Sequence, residues 1–310
     1  MNGAGSKCYL CGSEEIRPLY ESAKPLGDSY RIARCSACSL VQFSPIPSEA
    51  AVREFYARYD AAGERESYFR RCRQGYEGSA EARPLELKLD RIAKYAGVLP
   101  DLLDVGCGTG VFLDMVRKKG WRGRGIEVSP TAARYARDVF GLDVIEASIE
   151  SWPRDGETYD VVTMFDVLEH LRDPIEAVRK IRNRLREGGI LVLEVPNQEG
   201  LLDRAADVAY RLGWRKPASA LYNLHHIFYF NARSLSRLLR NAGFVIHEIG
   251  QDSTYVGRVT FETRLLKWGS WAVLKAGQLL GMENKLVLTA RKEEAVPLQA
   301  GGTDGGKTDR

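Results

Sequence analysis

The chain has 310 residues, which is long enough for one sizeable α/β domain and a small accessory module. Hydrophobic residues make up 44% and charged residues 28% of it, as in ordinary globular proteins, and no apolar run reaches the roughly 18 residues that a membrane span needs. The formal net charge of +4 is small for this length and gives no support for nucleic-acid binding. The amino-terminal segment lacks the apolar region of a signal peptide, so we expect a cytoplasmic protein with reduced thiols.

The first element predicted along the chain is a metal-binding module in residues 1–47. Two C-x2-C pairs stand 23 residues apart, and their members are Cys8, Cys11, Cys35 and Cys38. Four thiolates at this spacing complete a closed tetrahedral zinc site, which is structural because no coordination position is left for water. Disulfide bonds are the alternative in an oxidising compartment, to which nothing in the sequence directs the chain. Strand-like segments at 16–20 and 30–34 predict a small zinc ribbon.

Residues 48–97 predict a helical linker or cap. Pro45 and Pro47 favour an extended connector before it. Apolar and aromatic side chains within residues 48–60 recur at helical spacing, and Pro84 is suited to the first turn of a second helix. We expect these helices to pack against the region that follows.

Strands and helices then alternate over residues 98–292. The predicted strands lie near 101–105, 122–128, 142–147, 159–165, 188–195, 244–250 and 284–291. With helices between the first six strands, this order predicts an α/β fold with a seven-stranded, mostly parallel, doubly wound sheet. Two longer intervals, 198–224 and 251–283, are expected to form a lid and a second insert above the carboxyl edge of the sheet. The polar, Gly-rich segment 293–310 is expected to be a disordered tail.

The turn after the first of these strands carries three glycines at alternate positions, Gly106, Gly108 and Gly110. A strand that passes through such a turn into a helix is where an open α/β sheet receives a nucleotide-like ligand. Glu127, about 20 positions on, is placed to accept hydrogen bonds from ribose hydroxyls. The G-x-G-x-G spacing and the preceding Asp104 argue against a pyrophosphate and suit the ammonium group of S-adenosylmethionine. A glycine-rich turn without a ligand is the structural alternative.

Four segments resemble, in the same order, the successive motifs of a class I S-adenosylmethionine-dependent methyltransferase. They are residues 101–110, 125–128, 159–174 and 185–197, and the similarity continues through 226–235 and 241–244. The resemblance implies a Rossmann-like fold with an antiparallel last strand. It also implies that helices preceding the first strand cover the cofactor.

The resemblance further implies which residues contact the cofactor. They are Asp104, Gly106 and Gly108 for the methionine part, Glu127 for the ribose, Ser148 and Ile149 for the adenine, and Asp166 near the methionine end or the methyl group. Many relatives have aspartate at the place of Ser148, so this contact departs from the pattern of the family.

Three of the four histidines are candidates for catalysis on the acceptor side. By resemblance, His170 belongs to the Glu-His signature after the fourth strand. His226 matches the family's histidine before Tyr-Phe, and His225 precedes it. Histidine has an unperturbed pKa of about 6.5 and can deprotonate a hydroxyl near neutral pH. An imidazole that holds the segment 198–224 by hydrogen bonds is the alternative for His226.

A zinc-binding amino end joined to such a domain resembles deoxysugar C-methyltransferases and many enzymes of polysaccharide and secondary-metabolite pathways. The C-methyltransferases have a further substrate domain, which we do not expect in this protein, and a glutamate where this chain has His225. We therefore expect O-methylation of a sugar, glycan or other hydroxylated small molecule. C- or N-methylation of a nucleotide sugar or secondary metabolite is one alternative, and a non-catalytic cofactor-binding partner protein is another.

An apolar helix is predicted within residues 261–282, with Trp268 and Trp271 on its surface and Lys267 and Lys275 nearby. Such a helix can contact a membrane or a lipid-linked glycan acceptor. A packed cap or a homodimer surface is the more usual role of such a helix.

Overall fold

The computed structural model describes residues 7–20, 30–61, 63, 82–152, 156–223, 225–253 and 264–293. Its strands are β1 (Ile16–Tyr20), β2 (Arg31–Cys35), β3 (Val41–Ser44), β4 (Asp101–Val105), β5 (Arg122–Glu127), β6 (Asp143–Glu146), β7 (Tyr159–Phe165), β8 (Leu185–Pro196), β9 (Phe228–Tyr229), β10 (Phe244–Asp252) and β11 (Lys285–Lys292). Its helices are α1 (Glu49–Ala61), α2 (Ala82–Tyr95), α3 (Val111–Lys118), α4 (Pro130–Phe140), α5 (Pro174–Arg184), α6 (Leu201–Arg211), α7 (Lys216–Leu221), α8 (Ala232–Asn241) and α9 (Arg264–Leu280), with a 3₁₀ turn at Leu168–His170. Apart from its first residue, Glu293, the predicted disordered tail lies outside the described residues.

The large sheet has seven strands in the order β10-β11-β8-β7-β4-β5-β6. All pairs are parallel except those of β11, which runs antiparallel to both of its neighbours. The prediction of a seven-stranded, mostly parallel sheet with an antiparallel last strand is therefore confirmed. The strand order reverses between β4 and β7, and open α/β sheets bind ligands at such a switch point.

The central strands are buried because helices cover both faces of the sheet. Along β8, Leu191 and Leu193 enter one core layer, whereas Ile190 and Val192 enter the other. This alternation follows from the pleat, which points successive side chains to opposite faces. Strands buried on both faces have continuous apolar runs, and this is why β7 and β8 are recognisable in the sequence.

The prediction of a helix between every pair of the first six strands is wrong at one place. Between β6 and β7, the described residues 147–152 and 156–158 form turns and bends and contain no helix. The segment carries Pro153, and Gly156 has a φ of 145°. Proline removes a helical hydrogen bond and this φ lies far from helical values, so a helix is not expected to form in so short a connection.

The small sheet is antiparallel and has the order β1-β2-β3-β9. Its fourth strand comes from the second half of the chain, because Val41 and Gln42 of β3 pair with Tyr229 and Phe228. A separate apolar cluster, which includes Phe43, packs between the small sheet and α7. The amino-terminal module is thus joined to the segment that immediately follows His226.

Both long intervals contain helices. The segment 198–224 forms α6 and α7, and the described part of 251–283 forms α9, which packs against α6 near Leu201. Trp268 of α9 is 66% exposed, and Trp271 is also exposed. Within the described ranges, no helix is both long and apolar enough to cross a membrane.

Candidate functional site

The glycine turn joins β4 to α3 through a left-handed backbone. Gly106, Gly108 and Gly110 have φ values of 77°, 55° and 82°, which other residue types rarely adopt. A Cβ atom on Gly106 would also overlap the side chain of Val167. Gly106 itself is exposed, so a ligand can approach the backbone closely at this edge of the sheet.

Glu127 ends β5 next to this turn. Its Oε2 accepts a hydrogen bond from the backbone N–H of Gly108 at 2.8 Å, and its Oε1 accepts one from Ser129 at 2.7 Å. A carboxylate oxygen can accept more than one hydrogen bond, so a ribose hydroxyl can bind to the same carboxylate. Glu127 therefore also ties the glycine turn to the neighbouring strand, a role that the sequence did not predict.

Asp104 lies in β4, directly before the turn. Its Oδ1 accepts a hydrogen bond from the hydroxyl of Thr163 at 2.7 Å. Burial raises the pKa of Asp104 to about 7, although the Thr163 hydrogen bond and the charge of Lys88 act in the opposite direction. An ammonium group beside this carboxyl would favour its ionised form.

The residues predicted for adenine follow β6. The hydroxyl of Ser148 accepts hydrogen bonds from the backbone N–H groups of Glu150 at 3.0 Å and Ser151 at 3.4 Å, so it closes a local turn. Ile149 is buried, whereas Val128, directly after Glu127, is 59% exposed. Val128 offers apolar surface for a flat ring. In the sequence, only its position directly after Glu127 indicated that Val128 could contact the adenine.

Asp166 follows β7 and has a φ of 55°, which is unusual for a residue other than glycine. Its carboxylate contacts Nζ of Lys285, the first residue of β11. Burial alone would raise the pKa of Asp166, but the ammonium groups of Lys285 and Lys88 lower it to about 2. Asp166 is therefore ionised, and it keeps a strained backbone of the kind that clusters at functional sites.

The 3₁₀ turn after β7 brings Glu169 and His170 beside His226. The ring centroids of the two histidines lie 4.8 Å apart. Nε2 of each ring lies 4.0 Å from Oε1 of Glu169. A hydrogen bond of 2.8 Å from the backbone N–H of Ile227 to the carbonyl oxygen of Glu169 joins the two segments. The structure thus brings His170 and His226 together near Asp166.

Burial determines the protonation of this group of side chains. It lowers the pKa of His170, and together with the charge of His170 it lowers the pKa of His226 well below 6.5. It raises the pKa of Glu169 well above its usual range, and the charge of Asp166 adds to this effect. Both imidazoles are therefore neutral at pH 7. An ionised Glu169 would need a compensating positive charge.

His225 occupies a different environment. Its ring packs edge-on against Phe55 of α1 at 4.7 Å between centroids, and it lies 6.3 Å from the ring of Tyr56. The backbone carbonyl oxygen of His225 is hydrogen-bonded to Nδ1 of His170. The Tyr56 hydroxyl lies 3.3 Å from the same nitrogen. His225 therefore contacts α1 through its side chain and orients His170 through its backbone.

The four cysteines of the amino-terminal module converge on one point. Sγ of Cys8 lies 3.5 Å from Sγ of Cys38, and Sγ of Cys11 lies 3.6 Å from that of Cys35. All four sulfur atoms lie within 4.8 Å of one another, and none forms a disulfide bond. Sulfur atoms bound tetrahedrally to one zinc ion at about 2.3 Å would lie about 3.8 Å apart. The cluster therefore has the shape of a tetrahedral metal site.

Two lysines complete the charge distribution of the site, and the sequence did not predict them. Lys88 of α2 is buried and pairs with Glu194 of β8 at 2.9 Å, and Lys285 pairs with Asp166. The position of Lys285 at this site could have been predicted, because an antiparallel last strand begins at the carboxyl edge of the sheet. No local pattern marks Lys88, since its partner is far away in the sequence.

Comparisons with known proteins agree with this geometry. The family described as "Methyltransferase domain" matches residues 76–249, which is more than half of the chain. A probable S-adenosylmethionine-dependent methyltransferase of Mycobacterium tuberculosis is 30% identical over 146 residues, which are 47% of this chain and 48% of that protein. A ubiquinone biosynthesis O-methyltransferase of Alkalilimnicola ehrlichii is 29% identical over 158 residues, which are 46% of this chain and 59% of that protein. The chain spans about half the length of the first of these curated relatives.

Solved structures show the same fold. A putative sarcosine dimethylglycine methyltransferase from Galdieria sulphuraria matches with a TM-score of 0.51 at 16% identity, covering 70% of this chain and 88% of that one. The segment matched by the family contains the glycine turn, Glu127 and His226. The chain therefore belongs to this methyltransferase family and carries a class I S-adenosylmethionine-dependent methyltransferase domain.

Proposed function

We propose that the protein transfers the methyl group of S-adenosylmethionine to a hydroxyl group of a small-molecule acceptor. The observation that carries this proposal is the position of the His170–His226 pair. The pair lies near Asp166, at the edge of the sheet that also holds the glycine turn and Glu127. Direct methyl transfer needs two reactants aligned in a site that excludes water. This edge offers the glycine turn and Glu127 to the cofactor, and the histidine pair to the acceptor.

The glycine turn fits the cofactor. Gly106 permits close approach, Asp104 offers a carboxyl group for the ammonium, and Glu127 has lone pairs for the ribose. When bound, the cofactor supplies an electrophilic methyl group on a sulfonium ion. We assign the adenine to Val128, Ser148 and Ile149, and the sulfonium end to Asp166.

The acceptor hydroxyl must lose its proton during the transfer, and His226 is the first candidate to receive it. Its side chain is 27% exposed, so it is reachable from the acceptor side. Its neutral imidazole can accept a hydrogen bond from a hydroxyl. General-base catalysis typically contributes about 100-fold to 10,000-fold. The alternative is that His226 anchors the segment 198–224. Turnover measurements distinguish this role from that of the general base.

Oxygen is the proposed methylated atom because several relatives have the name ubiquinone biosynthesis O-methyltransferase. The ring of His225, where the deoxysugar C-methyltransferases have a glutamate, packs against Phe55, which supports O-methylation over C-methylation. A sugar, a glycan or another hydroxylated metabolite is the proposed class of acceptor. That class follows from the combination of a cysteine module with this domain. N- or C-methylation and a non-catalytic partner protein are the competing functions.

We infer that the four-cysteine cluster binds one structural zinc ion. The sulfur–sulfur distances of 3.5 and 3.6 Å are close to those of a tetrahedral thiolate site. In the described part of the module, the buried side chains of Ile32, Val41 and Phe43 pack in a cluster that they share with α7 and β9, so the metal would add folding free energy to a core that is not the module's own. We propose residues 48–97 as the cap and 98–292 as the catalytic domain.

Labelled S-adenosylmethionine, incubated with panels of sugars, nucleotide sugars and phenols, tests the function. Mass spectrometry should find a label on oxygen, and the Glu127→Ala variant should show far less product. A label on carbon or nitrogen would refute O-methylation. Cofactor binding without turnover on any panel member would favour the non-catalytic partner.

A further inference from the structure

Glu169 is a buried acid that the proposed function leaves uncompensated. Its side chain is 1% exposed, and neither carboxylate oxygen has a hydrogen-bond partner among the residues that the structure describes. The Nε2 atoms of His170 and His226 lie 4.0 Å from its Oε1, which is beyond hydrogen-bond distance. A buried carboxylate without a partner is strongly disfavoured. The gap between these three side chains is therefore a place where a further group would be stabilising.

The hydrogen bonds of His170 prepare its ring to bind a cation. The carbonyl oxygen of His225 can only accept a hydrogen bond, so Nδ1 of His170 carries the ring proton and donates it. The lone pair of the neutral ring is then on Nε2, the atom that faces Glu169. Metal-binding histidines almost always have such an outer hydrogen bond to a carbonyl or a carboxylate.

The distances suit one small cation. The potential ligand atoms of Glu169, His170 and His226 all lie within 4.8 Å of one another. Ligands bound to one cation at about 2.0–2.2 Å lie about 3.0–3.5 Å apart, so the two 4.0 Å pairs would close by about 1 Å or less. Both histidine side chains are partly exposed, which leaves an entry path.

We propose that Glu169, His170 and His226 bind one divalent first-row transition-metal cation on the acceptor side of the sheet. Two imidazoles and one carboxylate fill three positions, suit ions such as Mn²⁺, Fe²⁺ or Zn²⁺, and leave positions open. The cation would compensate the charge of Glu169. Lys285 opposes it little, because Asp166 already pairs with that ammonium group. The four-cysteine cluster is a different site with different ligands.

The catalytic consequence of this site rests on the proposed function. An acceptor hydroxyl that binds at an open position has a lowered pKa, because the cation stabilises the deprotonated oxygen. Its proton passes to solvent water. The O–C bond then forms as the S–C bond breaks, and sulfur keeps the electron pair. His226 acts as a ligand in this scheme, and this role replaces that of the general base, because a metal-bound nitrogen has no lone pair left for the proton.

Binding of Mn²⁺ tests the site, because carboxylate ligands suit this ion better than four thiolates do. Protein that retains the zinc of its cysteine cluster is titrated with MnCl₂, and free Mn²⁺ is followed by electron paramagnetic resonance. We expect one bound Mn²⁺ per chain, with at least about tenfold weaker binding in Glu169→Gln and in His226→Gln. His247→Gln, a histidine of β10 outside the cluster, is the matched control and should bind as the wild type does.

Added Zn²⁺ should displace the bound Mn²⁺, because zinc stands higher in the affinity order. Chelation should lower turnover, and Mn²⁺ or Zn²⁺ should restore it. Equal binding by the wild type and Glu169→Gln would overturn the proposal. So would a wild type that binds neither Mn²⁺ nor a second Zn²⁺. Either result would leave Glu169 as a buried acid that binds no cation.

Two further measurements keep the outcomes separate. Circular dichroism and zinc content show whether the Glu169→Gln and His226→Gln variants are folded, and either variant alone is sufficient for the test. Calorimetry with S-adenosylmethionine separates this inference from the proposed function. A protein that binds the cofactor but no cation at the cluster refutes only the metal site, whereas a protein that does not bind the cofactor refutes the proposed methyl transfer.

Discussion

Replacement of Glu127 by alanine should weaken S-adenosylmethionine binding by about 2 kcal/mol, which is roughly 30-fold in Kd. The carboxylate accepts hydrogen bonds from the N–H groups of Gly108 at 2.8 Å and Ser129 at 2.7 Å, and we propose that it also accepts hydrogen bonds from the ribose hydroxyls. A hydrogen bond to a charged group contributes about 1.5–3 kcal/mol. The lost ribose contacts lower the affinity. The lost backbone contacts release the glycine turn, so the Tm of the free protein should also fall.

Isothermal titration calorimetry measures this loss of affinity. Glu146→Ala is the matched control, because Glu146 ends β6 in register with Glu127 but its side chain is half exposed and pairs with Arg137. The control should bind the cofactor as the wild type does. An unchanged affinity in folded Glu127→Ala would refute the ribose assignment. Equal losses in both variants would show an effect of overall charge instead.

His226→Gln should lower turnover by about 100-fold or more at nearly unchanged cofactor affinity; turnover retained at saturating acceptor, with faster proteolysis of 198–224, would identify a lid anchor instead. Metal analysis should find one zinc per chain in the four-cysteine cluster, and protein purified without chelator that lacks it would contradict this. Cys35→Ser should lose that zinc, and because β3 pairs with β9 beside His226, methyl transfer should fall while calorimetry still detects cofactor binding. Without bound cofactor, Asp104 has a pKa of about 7, and the ammonium group of the cofactor favours its ionised form. Cofactor affinity should therefore fall by up to about tenfold per pH unit as the pH drops from 7 to 5. The Asp104→Asn variant should abolish this pH dependence.

Features set by neighbouring residues were predictable from the sequence alone. The strands β4, β7 and β8 each contain a short apolar run because helices cover both faces of the sheet. The glycine turn is visible because three left-handed positions at alternate residues require glycine. Within each C-x2-C pair, the short spacing also marks two thiols that can turn toward one point. In each case the physical requirement is local, so it leaves a mark on a short segment.

Features that depend on segments distant in the sequence required the tertiary structure. The glycine turn did not reveal that Glu127 holds it by two backbone hydrogen bonds. The C-x2-C pattern did not reveal that β9 completes the small sheet. Nothing near Glu169 predicted its burial between two histidines that lie 56 residues apart in the sequence. Such pairings arise only when the sheet is assembled, because packing selects partners by their position in space and leaves no periodic pattern along the chain.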